Sequence, residues 1–150
     1  MKWAVAVVLL ATAAGCGGGG KTGPQVAFLT DIHAKSDSVA FEFRGEPEDV
    51  KARYVSRRDL VECGSGAPVA LKGSAYAVVH FTPAQTASIA DDGTVTPTYT
   101  GPRRLSGEGP VLEVAKLCDF EADVGWAIGV DGRLPMDVST DAGTVTITFG

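Results

Sequence analysis

A chain of 150 residues with 45% hydrophobic and 21% charged side chains is one domain's worth of globular protein, with enough apolar content for a single core, which excludes wholesale disorder. The net charge of -5 at pH 7, with a pI near 4.9, excludes the concentrated basic face that phosphate-backbone binding needs, so nucleic acid is not expected as a partner.

The N-terminal stretch MKWAVAVVLLATAAGC places Lys2 ahead of an apolar run from Trp3 to Ala11, then the small residues Ala13, Ala14 and Gly15 before Cys16. That is the layout of a secretory signal peptide, and the run is too short to span a bilayer. Small residues directly before a cysteine resemble the lipobox of bacterial lipoproteins, in which cleavage precedes the cysteine and the cysteine is acylated; Ala13 stands where a lipobox usually has Leu. Residues 1–15 are therefore expected to be a lipoprotein signal peptide, with a plainly secreted soluble protein as the alternative. Residues 16–25 are expected to carry the acylated Cys16 and a glycine-rich tether, in which nine or so flexible residues span roughly 15–20 Å. More than one acyl chain makes a stable membrane anchor, since each buried CH2 contributes about 0.8 kcal/mol. The expected address is extracytoplasmic, on the cell membrane or, in a two-membrane host, on the outer membrane, because Gly17 rather than Asp follows the cysteine. Gly15–Thr22, GCGGGGKT, also satisfies the phosphate-binding pattern G-x-x-x-x-G-K-[ST]. Gly23-Pro24 follows at once, so no helix N-terminus meets a phosphate and no nucleotide is expected.

Residues 26–150 read as β throughout. Ser38 to Arg44 alternates, with Val39, Phe41 and Phe43 on one face. The turn cluster 45–49 leads to a strand from Val50 to Ser56, and Arg57-Arg58-Asp59 is an exposed connection. Val61 to Pro68 passes through the CGSG loop into a long strand or bulged pair from Val69 to Phe81, interrupted at Gly73. One short helical turn is expected over Pro83 to Ala90, and a long loop with at most an edge strand over Thr94 to Pro110. Strands follow from Val111 to Cys118 and from Asp123 to Val130. In the second, Val124, Trp126, Ile128 and Val130 form a large apolar face, and Gly125, Ala127 and Gly129 an almost bare one. A short strand at Leu134 to Ser139 and an alternating one at Thr144 to Phe149 complete the chain. With no 3.6-residue period after the signal peptide, the expectation is one all-β domain, a single antiparallel β-sandwich, with an open barrel as the competitor.

Beyond Cys16, Cys63 and Cys118 remain, an even number in an oxidising compartment. A bridge between them closes a loop of about 55 residues, for which chain entropy gives roughly 4 kcal/mol. A disulfide is expected; two reduced, buried thiols are the alternative.

Several runs carry a family resemblance: Phe41-Glu42-Phe43, CGSG at Cys63 to Gly66, PVALKG at Pro68 to Gly73, VHFTPA at Val79 to Ala84, and Cys118-Asp119-Phe120-Glu121 followed by Val124, Trp126, Ile128-Gly129 and Gly132-Arg133-Leu134-Pro135. Over residues 38 to 149 the sequence resembles the AMIN-like domain of bacterial envelope lipoproteins. The resemblance implies an extracytoplasmic β-sandwich behind a lipoprotein signal, related to a module that targets amidases and secretion-pore proteins to the periplasm or cell wall. Ala122 departs from the glycine usual there, Asp37-Ser38 from an arginine, and Gly143 to Phe149 from a final strand ending in proline, arginine and an apolar run.

The chemistry-bearing residues favour binding over catalysis. Asp119 and Glu121 share a face, yet glycoside hydrolysis needs two carboxyls about 5–10 Å apart across a cleft, one of them desolvated. Ser65 lacks the G-x-S-x-G elbow. Asp31 and His33 offer at most two metal ligands, and His80 shares a face with Tyr76 and Val78, so no metal or cofactor is expected. Trp126 reads as core. Tyr99 with Arg103 and Arg104 is the candidate sugar-stacking platform, its alternative an ordinary solvated loop. The bare face of Gly125, Ala127 and Gly129 either admits a flat ligand or partner strand or is covered by the chain's own loop. The expected function is a non-catalytic envelope binding module for peptidoglycan or another envelope glycan, carried by resemblance. An accessory protein docking another envelope protein through a strand edge is the alternative.

Overall fold

The computed structural model describes residue 23 and residues 25–150; the expected signal peptide, Cys16 and most of the expected tether lie outside the described residues. Among the described residues, twelve strands build two five-stranded sheets and one hairpin. The first sheet contains β1 (Ala27–Ala34), β2 (Ser38–Arg44), β5 (Ala84–Gln85), β11 (Met136–Asp141) and β12 (Thr144–Phe149), in the order β11-β12-β2-β1-β5. The second contains β3 (Asp49–Val55), β4 (Ala75–Thr82), β8 (Arg104–Ser106), β9 (Val111–Phe120) and β10 (Asp123–Val130), in the order β3-β4-β10-β9-β8. β6 (Ala87–Ile89) and β7 (Val95–Pro97) form the hairpin. Pairing is antiparallel except for the brief match of Ala27 with Ala84 and Phe28 with Gln85.

The alternating side chains decide how the sheets stack. Val39, Phe41, Val145, Ile147 and Phe149 from the first sheet meet Val79, Phe81, Val124, Trp126 and Ile128 from the second in one buried cluster. Phe41 and Phe43 each hold their ring centroid 4.9 Å from that of Phe81. The antiparallel sandwich expected from the period-two pattern is the observed fold.

β10 is buried on both faces. Its outer face is covered by the segment between β3 and β4, where Leu60 and Leu71 pack with Tyr76, Val78, Ala115, Leu117 and Ala127 in a second, smaller core. The segment crosses so closely that a Cβ on Gly129 would lie 1.8 Å from the Lys72 carbonyl oxygen. The expected strand from Val69 to Phe81 therefore starts only at Ala75. Residues 69–72 leave the sheet to cross β10, and Gly73, at φ 129, turns the chain back into β4. Pro83 to Ala90 is extended rather than helical, because Ala84 donates its amide to the Ala122 carbonyl at 2.8 Å and pairs with β1. The long loop of 94–110 contributes the edge strand β8.

Register gives the sandwich two distinct ends. At one end, Asp49 faces Thr82, and the Ala27 amide at the start of β1 donates to the Pro83 carbonyl at 2.9 Å. At the other, Val55 faces Tyr76 and Val130 faces Ala75. The chain thus enters the fold at the end of β4 remote from Ala75. β4 has eight residues, and at about 3.4 Å per residue the two ends are about 25 Å apart.

Candidate functional site

The residues expected to bind a ligand have structural partners. The Tyr99 ring is only 9% exposed and stands edge-on to Trp126, with centroids 5.6 Å apart at 82°. Its hydroxyl donates to the Pro102 carbonyl at 2.8 Å, so the ring offers no face for a sugar. Arg103 pairs with Glu62 at 3.2 Å. Arg104 pairs with Glu113 at 3.0 Å and donates to the Ala70 carbonyl at 2.8 Å. The buried Glu113 carboxylate also accepts the Lys72 amide at 2.9 Å. Both arginines hold the segment that crosses β10. The face of Gly125, Ala127 and Gly129 is filled by the chain itself: a Cβ on Gly125 would lie 2.9 Å from the His80 ring and 3.1 Å from Cys118 Cβ, and Ala127 is fully buried.

Cys63 and Cys118 are bridged, with Cα atoms 5.1 Å apart, which joins the crossing segment to β9. Ser65 sits in the turn beside the bridge, donating to Glu62 at 3.1 Å and accepting the Ala67 amide at 3.1 Å. Asp119 pairs with Lys116 at 2.6 Å and accepts the Thr86 hydroxyl. Glu121 occupies a turn at φ 51. A shallow recess of about 180 Å³ touches both acids, yet both are exposed, and hydrolysis needs one carboxyl shielded from water. His80 faces Asp123 at 2.9 Å. Asp31, His33 and Glu42 hold their ligand-type atoms within 4.8 Å of one another; Glu42 joins the pair only through strand register, since it stands opposite Asp31. The His33 ring nitrogen lies 3.1 Å from Glu42 and 3.6 Å from Asp31, with all three side chains about half exposed. Such a group on an open sheet face satisfies itself as a cross-strand ion network.

A cavity of about 500 Å³ lies at the end of the sandwich away from Ala27. It is lined by Tyr54, Arg57, Ser74, Tyr76, Gly132 and Arg133, among others. Strand alternation sends Tyr54 inward and its neighbour Val55 outward at the end of β3, and a 3-10 turn then presents Arg57. Arg57 lies 4.8 Å above the Tyr76 ring and Arg133 lies 5.0 Å above the Tyr54 ring. The Tyr54 hydroxyl donates to the Leu134 carbonyl at 2.8 Å, and the Tyr76 hydroxyl to the Gly73 carbonyl at 2.6 Å. Burial raises the Tyr54 hydroxyl above the ordinary tyrosine value, opposed in part by the Arg133 charge. Asp59, the acid nearest in sequence to Arg57, turns to Ser56, whose hydroxyl holds its carboxyl below the usual value. Among the described residues neither Arg57 nor Arg133 has a carboxylate partner. The sequence places Arg57 in an exposed connection and Arg133 in a run that carries the family resemblance, and neither was a candidate for binding. Their one visible signal was an arginine next to a turn at the end of an aromatic-bearing strand.

A disulfide-bridged β-sandwich with a cationic, tyrosine-lined cleft at one end is the class of protein that these features define. A family model described as the AMIN-like domain matches residues 28–147, and the chain belongs to that family, which places it among extracytoplasmic, envelope-associated proteins. No curated protein and no solved structure matches the chain.

Proposed function

We propose that this protein is a lipid-anchored, non-catalytic module of the cell envelope that binds peptidoglycan or another envelope glycan in the cleft lined by Tyr54, Arg57, Tyr76 and Arg133. The observation that carries this reading is the cleft's place and make-up. It holds two guanidiniums over two tyrosine rings, a combination suited to the polar and charged substituents of a sugar, and it opens at the end of the sandwich remote from the N-terminal entry. With Cys16 acylated and a tether of roughly 15–20 Å, the entry end rests near the membrane and the cleft faces outward, toward the wall.

Co-sedimentation of the full chain in mild detergent with purified peptidoglycan sacculi tests this. Saturable binding is expected, weakened at least tenfold by Tyr54→Ala with Arg133→Ala. No sedimentation at micromolar protein overturns the glycan reading. A second reading, docking of another envelope protein, draws on Ile89, Val95 and Phe120, which are 66%, 59% and 62% exposed around the shallow recess. It predicts a specific crosslinked partner in cells that is lost on Phe120→Ser.

A further inference from the structure

We infer that the Tyr54–Arg133 cleft selects an anionic group, the carboxylate of an acidic amino sugar or a phosphate ester, which it holds between Arg57 and Arg133. This inference rests on the glycan reading above and names the chemistry of its ligand.

The first argument is charge placement. The chain has 18 acidic residues against 13 basic ones, so two arginines without an acid in one cleft need a reason. Arg58, Arg103 and Arg104 all have carboxylate partners. Of the four arginines without one among the described residues, Arg44 and Arg53 stand apart on β2 and β3, whereas Arg57 and Arg133 come together in the cleft, and the nearby Asp59 is turned away to Ser56.

The second argument is the balance of donors and acceptors. The tyrosine hydroxyls spend their protons on the Leu134 and Gly73 carbonyls. The Tyr76 oxygen accepts from Arg57, and Gly73 accepts from both Tyr76 and Arg57. Ser74 accepts the Gly132 amide at 2.7 Å, which leaves its own proton to donate. Arg57 uses only one of its terminal nitrogens in these bonds, and Arg133 makes no hydrogen bond among the described residues. What remains free at the cleft is mainly a set of N–H and O–H donors. An acceptor-only group, an ionised carboxylate or phosphate, is the complement of such a set.

The third argument is preorganisation. Each guanidinium lies over a tyrosine ring, 4.8 Å and 5.0 Å from the centroid, which limits its rotamers before any ligand arrives. A planar fork held in place loses less entropy on binding an oxyanion than a free lysine would.

The test is an NMR titration of the full chain in detergent with N-acetylmuramic acid, N-acetylglucosamine and glycerol 3-phosphate. The two sugars share a ring and differ by a lactyl carboxylate. N-Acetylmuramic acid is expected to bind at least tenfold tighter than N-acetylglucosamine and to shift resonances of Gly73 to Tyr76 and Gly132. Raising the salt weakens it. Arg133→Gln, at an exposed position, abolishes the difference between the sugars, and Arg133→Lys restores part of it. Binding of glycerol 3-phosphate alone also supports the inference and assigns the anion to a phosphate-bearing polymer. Equal affinity for the two sugars, or no response to either anion while the protein still sediments with sacculi, overturns the inference and leaves the glycan reading standing. Loss of sedimentation together with all three responses overturns both.

Discussion

Gly129 has no room for one added carbon, because the Lys72 carbonyl oxygen occupies the place, 1.8 Å from where a Cβ would sit. Gly129→Ala must push the crossing segment off β10, and a loss of about 3 kcal/mol or more is expected in guanidinium unfolding. Gly64, with nothing within 4 Å of its added Cβ, is the control, and Gly64→Ala should stay within about 0.5 kcal/mol of the parent. Tyr99 makes a second prediction at this scale. Burial first, and then the Asp31 charge, raise its hydroxyl above the ordinary 10.0. The folded state thus favours the protonated phenol. Its contribution to stability is complete below the unfolded value and is lost as pH rises toward the raised folded one. The melting temperature should fall above pH 10, and Tyr99→Phe should lessen the fall without removing it, since Tyr54 is raised as well. At neutral pH the same change removes the bond to Pro102 and costs about 1 kcal/mol.

The segment from Leu60 to Gly73 is the element on which the outer core depends. It has no strand of its own, only an isolated bridge between Val61 and Pro68. It is fixed by the Cys63–Cys118 bridge, by Glu113 and Arg104, and by Leu60 and Leu71 against Ala127. Replacing both cysteines by serine opens a loop with a sequence separation of 55. The chain-entropy model puts the loss at about 4 kcal/mol. Denaturant unfolding measures it, and hydrogen exchange should show the amides of residues 62–72 losing protection before those of β4 and β10. Unchanged exchange there would mean that side-chain packing alone holds the segment. The expectation of a bulged strand from Val69 failed at this scale, because alternation cannot tell a strand in the sheet from an extended segment lying across it.

At the scale of the molecule the two ends of the sandwich differ. The N-terminal entry lies at one end, and the arginine-bearing cleft at the other. The anchor proposed at Cys16 would turn that asymmetry into an orientation. Cys16→Ser should abolish incorporation of labelled palmitate and move the protein from the membrane pellet to the soluble fraction, with the melting temperature of the body unchanged. Retention in the membrane pellet would count against lipid anchoring through this residue.

Much of the fold was legible in the sequence. Period-two alternation in β2, β10 and β12 reports which side chains face inward, because a strand places successive residues on opposite faces, and it led directly to the cluster of Phe41, Trp126 and Ile147. Cysteine count and the implied compartment were enough to expect the bridge. The site was another matter. The bare face of Gly125, Ala127 and Gly129 reads the same whether a ligand or the chain's own backbone lies against it, and only the path of residues 60–73 decided between them. Tyr99 looked exposed because its neighbours are prolines, glycines and arginines; the Trp126 edge that buries it is contributed by a distant strand. Arg57 and Arg133 are 76 positions apart in the chain, and no local pattern links them. Strand alternation and turn chemistry are local and can be read from the sequence, whereas a cleft is a meeting of strand ends and turns that only tertiary packing brings about.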